Sequence, residues 1–169
     1  MDPLMTVVII TIILALLFDV VNGFHDAANS IATIVSTKVL SPKFAVLWAA
    51  FFNFAAMFVF APRVANTIAK IVAIDSLDPA FVYVVLSALL GAVIWDLVTW
   101  WLGLPTSSSH ALIGGLVGAG LAHAGSDVIN WHKLVETATF IPVAPLLGVG
   151  LGFVFMVIVY WAFRKWSPK

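Results

Sequence analysis

The organisation of this chain depends on Asp19-Val20-Val21-Asn22-Gly23-Phe24-His25-Asp26-Ala27-Ala28-Asn29-Ser30. Almost wholly aliphatic sequence runs from Leu4 to Phe18 before it and from Ile31 to Val35 after it. Ionisable side chains are costly in such surroundings, because lipid offers them neither water nor counter-ions. The cluster therefore indicates a functional site, and the alternative is a polar loop between two short membrane spans.

The composition is that of an integral membrane protein. The chain has 169 residues, of which 63% are hydrophobic and 9% charged, with a mean hydropathy of +1.12, whereas a soluble domain carries roughly 25% charged residues. Eight basic and eight acidic side chains cancel, so no net field favours nucleic acid as a partner. The absence of cysteine excludes disulfides and thiolate-metal sites. The first apolar run lacks a basic leader and a small-residue cleavage site, so we interpret it as a retained membrane segment.

About five membrane segments are expected, since a span needs about 20 mostly apolar residues. They predict an all-α, polytopic membrane helical bundle forming one domain over residues 1–169, with polar connectors at Val64–Asp78 and His123–Glu136. Pro42 is placed to begin a helix. The apolar segments are Leu4–Val21 continuing as Phe24–Leu40, then Phe44–Ala61, Ala80–Leu104, the glycine-rich Ala111–Ala122, and Phe140–Phe163.

The first segment is expected to be interrupted at Asn22-Gly23. Glycine tolerates non-helical backbone and asparagine bonds its own backbone. The two arms together would run to about 55 Å if helical, against a hydrocarbon core of about 30 Å. Either a tilted, broken helix or a re-entrant second arm would accommodate them, and such backbone is tolerated only beside protein or a water-filled cavity.

A second polar segment, Pro105-Thr106-Ser107-Ser108-Ser109-His110, opens the glycine-rich helix. Proline among hydroxyl residues is a helix start signal, and a helix N-terminus suits an oxyanion. Thr106, Ser107, Ser108 and Ser109 add hydroxyl donors, and no lysine or arginine lies within the segment. Such a segment can bind an anion and release it, and the alternative is an ordinary helix cap. Gly114 and Gly118 are spaced for close helix packing.

A cation site is also expected on the first segment. Asp26 and Asn29 share a helix face, with Ser30 and Thr33 one turn further on. Their oxygens suit sodium, with help from carbonyls freed at the break, while His25 and Asp26 could carry a proton instead. Asp96 fits either an ion pathway or an interfacial tryptophan belt. The candidate coupling-ion residues are Asn22, His25, Asp26, Thr33, Asp96 and His110.

Enzymatic readings fit poorly. Ser108, His110 and Asp96 or Asp26 are the residue types of a hydrolase triad, but no Gly-x-Ser-x-Gly elbow accompanies them. A metal enzyme built on His25, Asp26 and His110 matches no common ligand spacing. We therefore expect neither an enzyme nor a resident metal or cofactor.

Two segments resemble the signatures of the PiT inorganic phosphate transporter family. They are Asn22-Gly23-Phe24-His25-Asp26-Ala27-Ala28-Asn29-Ser30-Ile31-Ala32-Thr33, and Pro105-Thr106-Ser107-Ser108-Ser109-His110 followed by Gly114-Gly115. The resemblance implies a plasma-membrane symporter that moves phosphate, free or as a metal–phosphate complex, with sodium or protons. It implies cation or phosphate binding by Asp26 and Asn29, and phosphate binding by Thr106 to Ser109, with Ser30 added to the phosphate-binding set.

Two departures from the family pattern matter. Many sodium-coupled members carry Gly-Ala-Asn-Asp where this chain has Gly23-Phe24-His25-Asp26, which favours protons here. Members of the family also have two inverted repeats, and this chain resembles the N-terminal repeat alone. It would pair with a separate second half, form an antiparallel homodimer, or be an inactive fragment. Sulfate transport, an accessory membrane subunit and an ion channel are the remaining alternatives.

Overall fold

The computed structural model describes residues 2–166, with side chains described except at residues 59–65. Five α-helices follow one another: α1 Pro3–Ser36, α2 Pro42–Ala69, α3 Pro79–Trp101, α4 Ser108–Ala124 and α5 Trp131–Phe163. A 3-10 turn, Gly125–Val128, follows α4. The predicted all-α class is confirmed. The chain divides into two compact units, residues 1–130 with α1 to α4 and residues 131–169 with α5.

The helices have the length and apolar character of membrane spans. Within the described residues four segments qualify, namely α1, α3, α5 and the segment Ser108–Val128. In α2 the apolar part is shorter, Pro42–Phe58. Large apolar side chains are exposed along α1, α2, α3 and α5, as lipid contact requires. The chain is therefore a multi-pass membrane protein, as predicted.

The predicted interruption of the first segment is wrong. Helix α1 continues through Asn22 and Gly23 without a break over 34 residues, so neither the broken helix nor the re-entrant arm is present. One glycine weakens a helix by only about 0.5–1 kcal/mol. Backbone groups freed in hydrocarbon cost several kcal/mol each, so continuity is the cheaper solution. At about 51 Å, α1 exceeds the hydrocarbon thickness and must tilt or project from it.

Helix starts follow the expected chemistry. Pro3, Pro42 and Pro79 each occupy the first turn of a helix, which confirms the start predicted at Pro42. The carboxylate of Asp78 accepts a hydrogen bond of 2.8 Å from the Ala80 amide, and Asp2 caps α1 in the same way at 3.1 Å. Proline lacks the amide that would be unpaired at this position, so it costs nothing there.

Two connectors are shorter than predicted. Helix α2 runs to Ala69, so the connector predicted from Val64 begins only at Lys70. Helix α5 begins at Trp131, nine residues before the predicted Phe140. Its first turns carry an ion pair between Lys133 and Glu136 at 2.8 Å. Lysine and glutamate are good helix formers, so polar sequence here extends a helix beyond its apolar part.

The first unit is held together around α3. Phe18 of α1 packs with Leu89, Ala92 and Val93 in a buried cluster. On the other side, α4 approaches so closely that a Cβ at Gly115 would lie 2.5 Å from the Ala88 carbonyl oxygen. The prediction of close packing at Gly114 and Gly118 is not met, since a Cβ at either would meet nothing within 4 Å. Gly115 makes the close contact instead, because the face of α4 that carries it packs against α3.

Replacing Gly115 should destabilise the α3–α4 pair. A Gly115→Ala methyl would overlap the Ala88 backbone, and such overpacking costs about 1–3 kcal/mol. The matched control, Gly114→Ala, places its methyl in open space and should be neutral or stabilising by about 0.5–1 kcal/mol. Thermal unfolding in detergent, followed by circular dichroism, measures both. Equal melting temperatures for the two variants would contradict the proposed contact.

Candidate functional site

The end of α3 is shaped by a glycine turn. Gly103 has φ +67°, a conformation that glycine adopts without strain. The Leu104 amide donates to the Thr99 carbonyl at 2.8 Å, and the Gly103 amide donates to the Trp100 carbonyl at 3.0 Å. This is the hydrogen-bond pattern of a Schellman motif, which satisfies the last carbonyls of a helix. The turn brings Pro105 and the hydroxyl segment back beside α3.

His25 ties α1 to α3. Its side chain is buried, and Nε2 lies 2.7 Å from the backbone carbonyl oxygen of Asp96. Because a carbonyl can only accept, Nε2 carries the proton and donates it. Thr99 also donates to this carbonyl, at 3.1 Å, and to the Trp95 carbonyl at 2.9 Å. Two residues predicted to serve the coupling ion, His25 and Asp96, are thus in contact.

Asp96 and Ser108 form a buried polar pair without the partners they need. Asp96 is fully buried and Ser108 is 2% exposed. Among the described residues, neither carboxylate oxygen of Asp96 nor the Ser108 hydroxyl makes a hydrogen bond. The Ser108 side chain faces the Asp96 carboxylate, and His25 and Asp26 are the titratable groups that act on it through their charge. Buried polar groups are rarely left unpaired in this way, so this pair is a candidate for binding a further species.

The hydroxyl segment begins its helix later than predicted. Helix α4 starts at Ser108, three residues after Pro105, with Ser107 in the capping position in extended backbone. The Ser107 hydroxyl makes no capping hydrogen bond, contrary to the ordinary-cap alternative. Thr106 accepts a hydrogen bond of 3.3 Å from Trp95 Nε1. The donors therefore lie on a short loop whose shape is set by Gly103 and Trp95.

Two open cavities flank Pro105, and the sequence-predicted residues divide between them. One, of about 340 Å³, is lined by His25 and Asn29 of α1 together with Trp100 and Gly103–Pro105. The other, of about 610 Å³, is lined by Thr106, Ser107 and His110 with Trp95. Asp96 is connected to both cavities, since its backbone carbonyl accepts from His25, which lines one, and Trp95, which lines the other, precedes it in the chain. The two sequence signatures therefore meet at the end of α3.

The remaining candidates lie apart from these cavities. Asn22 lines a third, mainly apolar cavity of about 640 Å³, together with Asp19. Ser30, Thr33 and Ser109 are exposed, and Ser30 donates to the Asp26 carbonyl one turn earlier at 2.9 Å. Asp26 is half-buried on the same helix. Exposed polar side chains on apolar helices indicate contact with further protein or water.

Three residues at the site were not singled out for it from the sequence. Trp95 and Trp100 were assigned to an interfacial belt, but both line the cavities, and Trp100 packs edge-on against Phe24 with ring centroids 5.3 Å apart. Thr99 is buried beside Asp96. Its spacing of three residues from Asp96 was the available signal, since residues so spaced share a helix face.

The polar side chains that line the two flanking cavities are hydrogen-bond donors. No lysine or arginine is among the residues that line the two flanking cavities within the described chain. Among all the described residues, no group of three or more side chains is placed to hold a metal ion. Hydroxyls, an amide, imidazoles and indoles can bind an oxyanion without a fixed cation, and the binding is then easily reversed. Polar groups of this kind inside a membrane bundle mark a binding site or pathway for a polar solute.

Comparison with known proteins identifies the family. The model of the phosphate transporter family matches residues 22–169. The chain is 52% identical over 159 residues to a probable low-affinity inorganic phosphate transporter of Rhizobium meliloti, covering 93% of this chain and 46% of the relative. A relative of the same description from Streptomyces halstedii is 46% identical over 99% of this chain and 79% of its own length. The chain belongs to the phosphate transporter family.

A solved structure agrees with this membership. The chain described as the sodium-dependent phosphate transporter is 32% identical, with a TM-score of 0.86, over 96% of this chain and 42% of its own length. The chain thus spans about half the length of that protein and of the Rhizobium meliloti relative. These relatives are transporters, and family membership together with the apolar helices makes the chain a multi-pass protein of the plasma membrane.

Removing the His25 side-chain donor should loosen α1 from α3. A His25→Phe variant keeps a ring of similar size but loses the hydrogen bond to the Asp96 carbonyl, at a cost of about 1 kcal/mol. A fall of about 2–4 °C in melting temperature is expected. The control is His123→Phe at the exposed end of α4, which should melt like the parent. Equal melting of both variants would show that the bond contributes nothing.

Proposed function

We propose that this chain forms half of a secondary active symporter for inorganic phosphate, free or as a metal–phosphate complex, driven by protons or sodium. The observation that carries the proposal is the meeting of the two polar segments around the end of α3. His25 and Asn29 line one cavity beside Pro105, and Thr106 and Ser107 line the other. Polar residues inside membrane spans are functional by default, and here those of both segments lie on either side of Pro105.

Phosphate binding is assigned to the donor groups of both segments. The loop before α4 offers hydroxyls beside a helix N-terminus, whose amides favour an anion. The Ser107 hydroxyl makes no capping hydrogen bond to its own helix. It is therefore available to a ligand, which supports this role. Asn29 supplies an amide from α1. The proposed phosphate-binding residues are Asn29, Ser30, Thr106, Ser107, Ser108 and Ser109.

Coupling is assigned to the titratable and oxygen-bearing groups around them. Asp26 and Asp96 are the carboxylates of the region, and His25 and His110 are its imidazoles. A cation bound there would offset the charge of phosphate in a site that lacks lysine and arginine. The neighbouring solved structure is described as sodium-dependent, which keeps sodium beside protons as a candidate. The proposed coupling residues are Asn22, His25, Asp26, Thr33, Asp96 and His110.

A second half is part of the proposal. The chain spans 46% of the Rhizobium meliloti relative, and polar side chains such as Thr33 and Ser109 are exposed on apolar helices. A second repeat, or a second copy inserted antiparallel, would cover them. An accessory subunit that only bonds a partner's helices is the competing function, supported by the same exposed polar groups.

Uptake of labelled phosphate tests the function. The chain is expressed in cells without their own phosphate transporters, alone and together with the part of the Rhizobium meliloti relative that it does not cover. We expect saturable, gradient-dependent uptake from the pair, which excess sulfate inhibits weakly. Uptake by the chain alone would favour the antiparallel homodimer over a separate half. Equal inhibition by sulfate would defeat the phosphate assignment, and non-saturating flux would indicate a channel.

An Asp26→Asn variant should abolish this uptake. The substitution keeps the shape of the side chain but removes the charge that binds a cation, so a loss of at least tenfold is expected. The control is Asp75→Asn in an exposed loop, where the amide oxygen can still accept from the Leu77 amide. Co-purification of the two halves is measured in parallel. Unaltered uptake with failed assembly would establish the accessory role instead.

A further inference from the structure

Asp96 is the least solvated ionisable group of the site. Its side chain is fully buried, and neither of its oxygens has a hydrogen-bond partner among the described residues. An isolated ionised carboxylate is very costly to bury, and such a group either finds a positive partner or becomes neutral. The Ser108 hydroxyl beside it is also buried and unpaired. The two buried side chains face each other closely enough for one small species to lie between them.

Few charged or polar groups surround the Asp96 carboxylate among the described residues. Asp96 belongs to α3, which packs against α1 and α4. From α1, His25 and Asp26 act on the carboxylate, and from α4 the acting group is Ser108. The His25 ring proton is already donated to the Asp96 backbone carbonyl rather than to its carboxylate. His110 of α4 is exposed and lines the cavity of about 610 Å³.

The geometry favours a proton over sodium at this position. A bound sodium ion in a transporter takes ligands from unwound backbone and helix C-terminal ends. Helix α1 is unbroken at Asn22 and Gly23, so the carbonyls expected there remain in helical hydrogen bonds. At the C-terminal end of α3, the Thr99 and Trp100 carbonyls likewise accept hydrogen bonds from the Leu104 and Gly103 amides. A proton needs one acceptor only, and the Ser108 hydroxyl oxygen can provide it.

We infer that Asp96 takes up the coupling proton and shares it with the Ser108 hydroxyl, and that this neutralisation lets the adjacent donor loop accept phosphate. The inference rests on the proposed phosphate symport and names the group that couples it. One O–H bond forms on the carboxylate with a proton from the aqueous phase, and the same bond breaks when the proton leaves on the other side. No oxidation or reduction is involved.

The coupling follows from charge and proximity. Ser107, directly before Ser108, lines the cavity with the hydroxyl donors, so Asp96 and a bound phosphate would share the N-terminus of α4. An ionised Asp96 would repel the phosphate anion across a medium that screens poorly. A neutral Asp96 removes that repulsion, and by linkage phosphate then raises the affinity for the proton by the same factor.

Infrared difference spectroscopy of the purified chain tests the protonation directly. A carbonyl band of a neutral carboxylic acid is expected at neutral pH, shifted by deuterium oxide. It should be lost in Asp96→Asn and kept in the loop control Asp75→Asn. Ser108→Ala should keep the band but shift its frequency, because the acid loses its acceptor. Circular dichroism confirms that each variant is folded. A parent spectrum without this band, or one that Asp96→Asn leaves unchanged, overturns the inference.

Phosphate binding across pH supplies a second readout, using the assembled transporter that contains this chain and inorganic phosphate as the probe. Above the pH at which Asp96 releases its proton, the phosphate affinity of the parent, compared with that of Asp96→Asn, should fall by up to about tenfold per pH unit. Asp75→Asn should follow the parent. Identical pH profiles for parent and Asp96→Asn, or dependence on sodium at fixed pH with an ionised Asp96, overturn the inference. If phosphate uptake continues in either of these cases, the inference fails but the proposed function stands. The infrared measurement tests the inference even if the chain shows no uptake.

Discussion

In a hydrocarbon solvent every polar group must find its partner inside the protein, and this constraint governs both the helices and the site. Helix α1 stays continuous through Asn22-Gly23 because the helical hydrogen bonds there have no substitute. Asp96 and Ser108 are the exception, buried side by side and unpaired among the described residues. Because an unpaired polar group is so costly in hydrocarbon, the buried carboxylate of Asp96 indicates a functional role.

The packing around α3 concentrates the polar groups in one place. Helix α4 reaches α3 by the close approach of Gly115 to the Ala88 backbone, and α1 reaches it through the Phe18 cluster and the His25 hydrogen bond. The Gly103 turn then returns the chain so that Pro105 lies between two cavities. Small residues and one glycine turn therefore place side chains from three helices within one region.

Much of this could be predicted from sequence, for physical reasons that also explain the rest. Membrane class and helix number follow from apolar composition, and the prolines at Pro42 and Pro79 mark helix starts. The two polar segments stand out because charged and amide groups are rare in spans, and their role in binding stays a prediction. The continuity of α1 was not predicted, because one glycine weakens a helix by less than it costs to free backbone groups in hydrocarbon. Packing at Gly115 rather than Gly114 depends on the rotation of α4 against α3, which periodicity does not fix.

The uninterrupted length of α1 has a mechanical consequence. Helix α1 has 34 residues and is longer than the hydrocarbon core. It has no break between its two ends that could serve as a hinge. The His25 contact with the third helix lies nearer its carboxyl end, where it can act as a pivot. A tilt about that point would displace the amino end of α1 through a wider arc than its carboxyl end, because 22 of its residues precede His25 and 11 follow it.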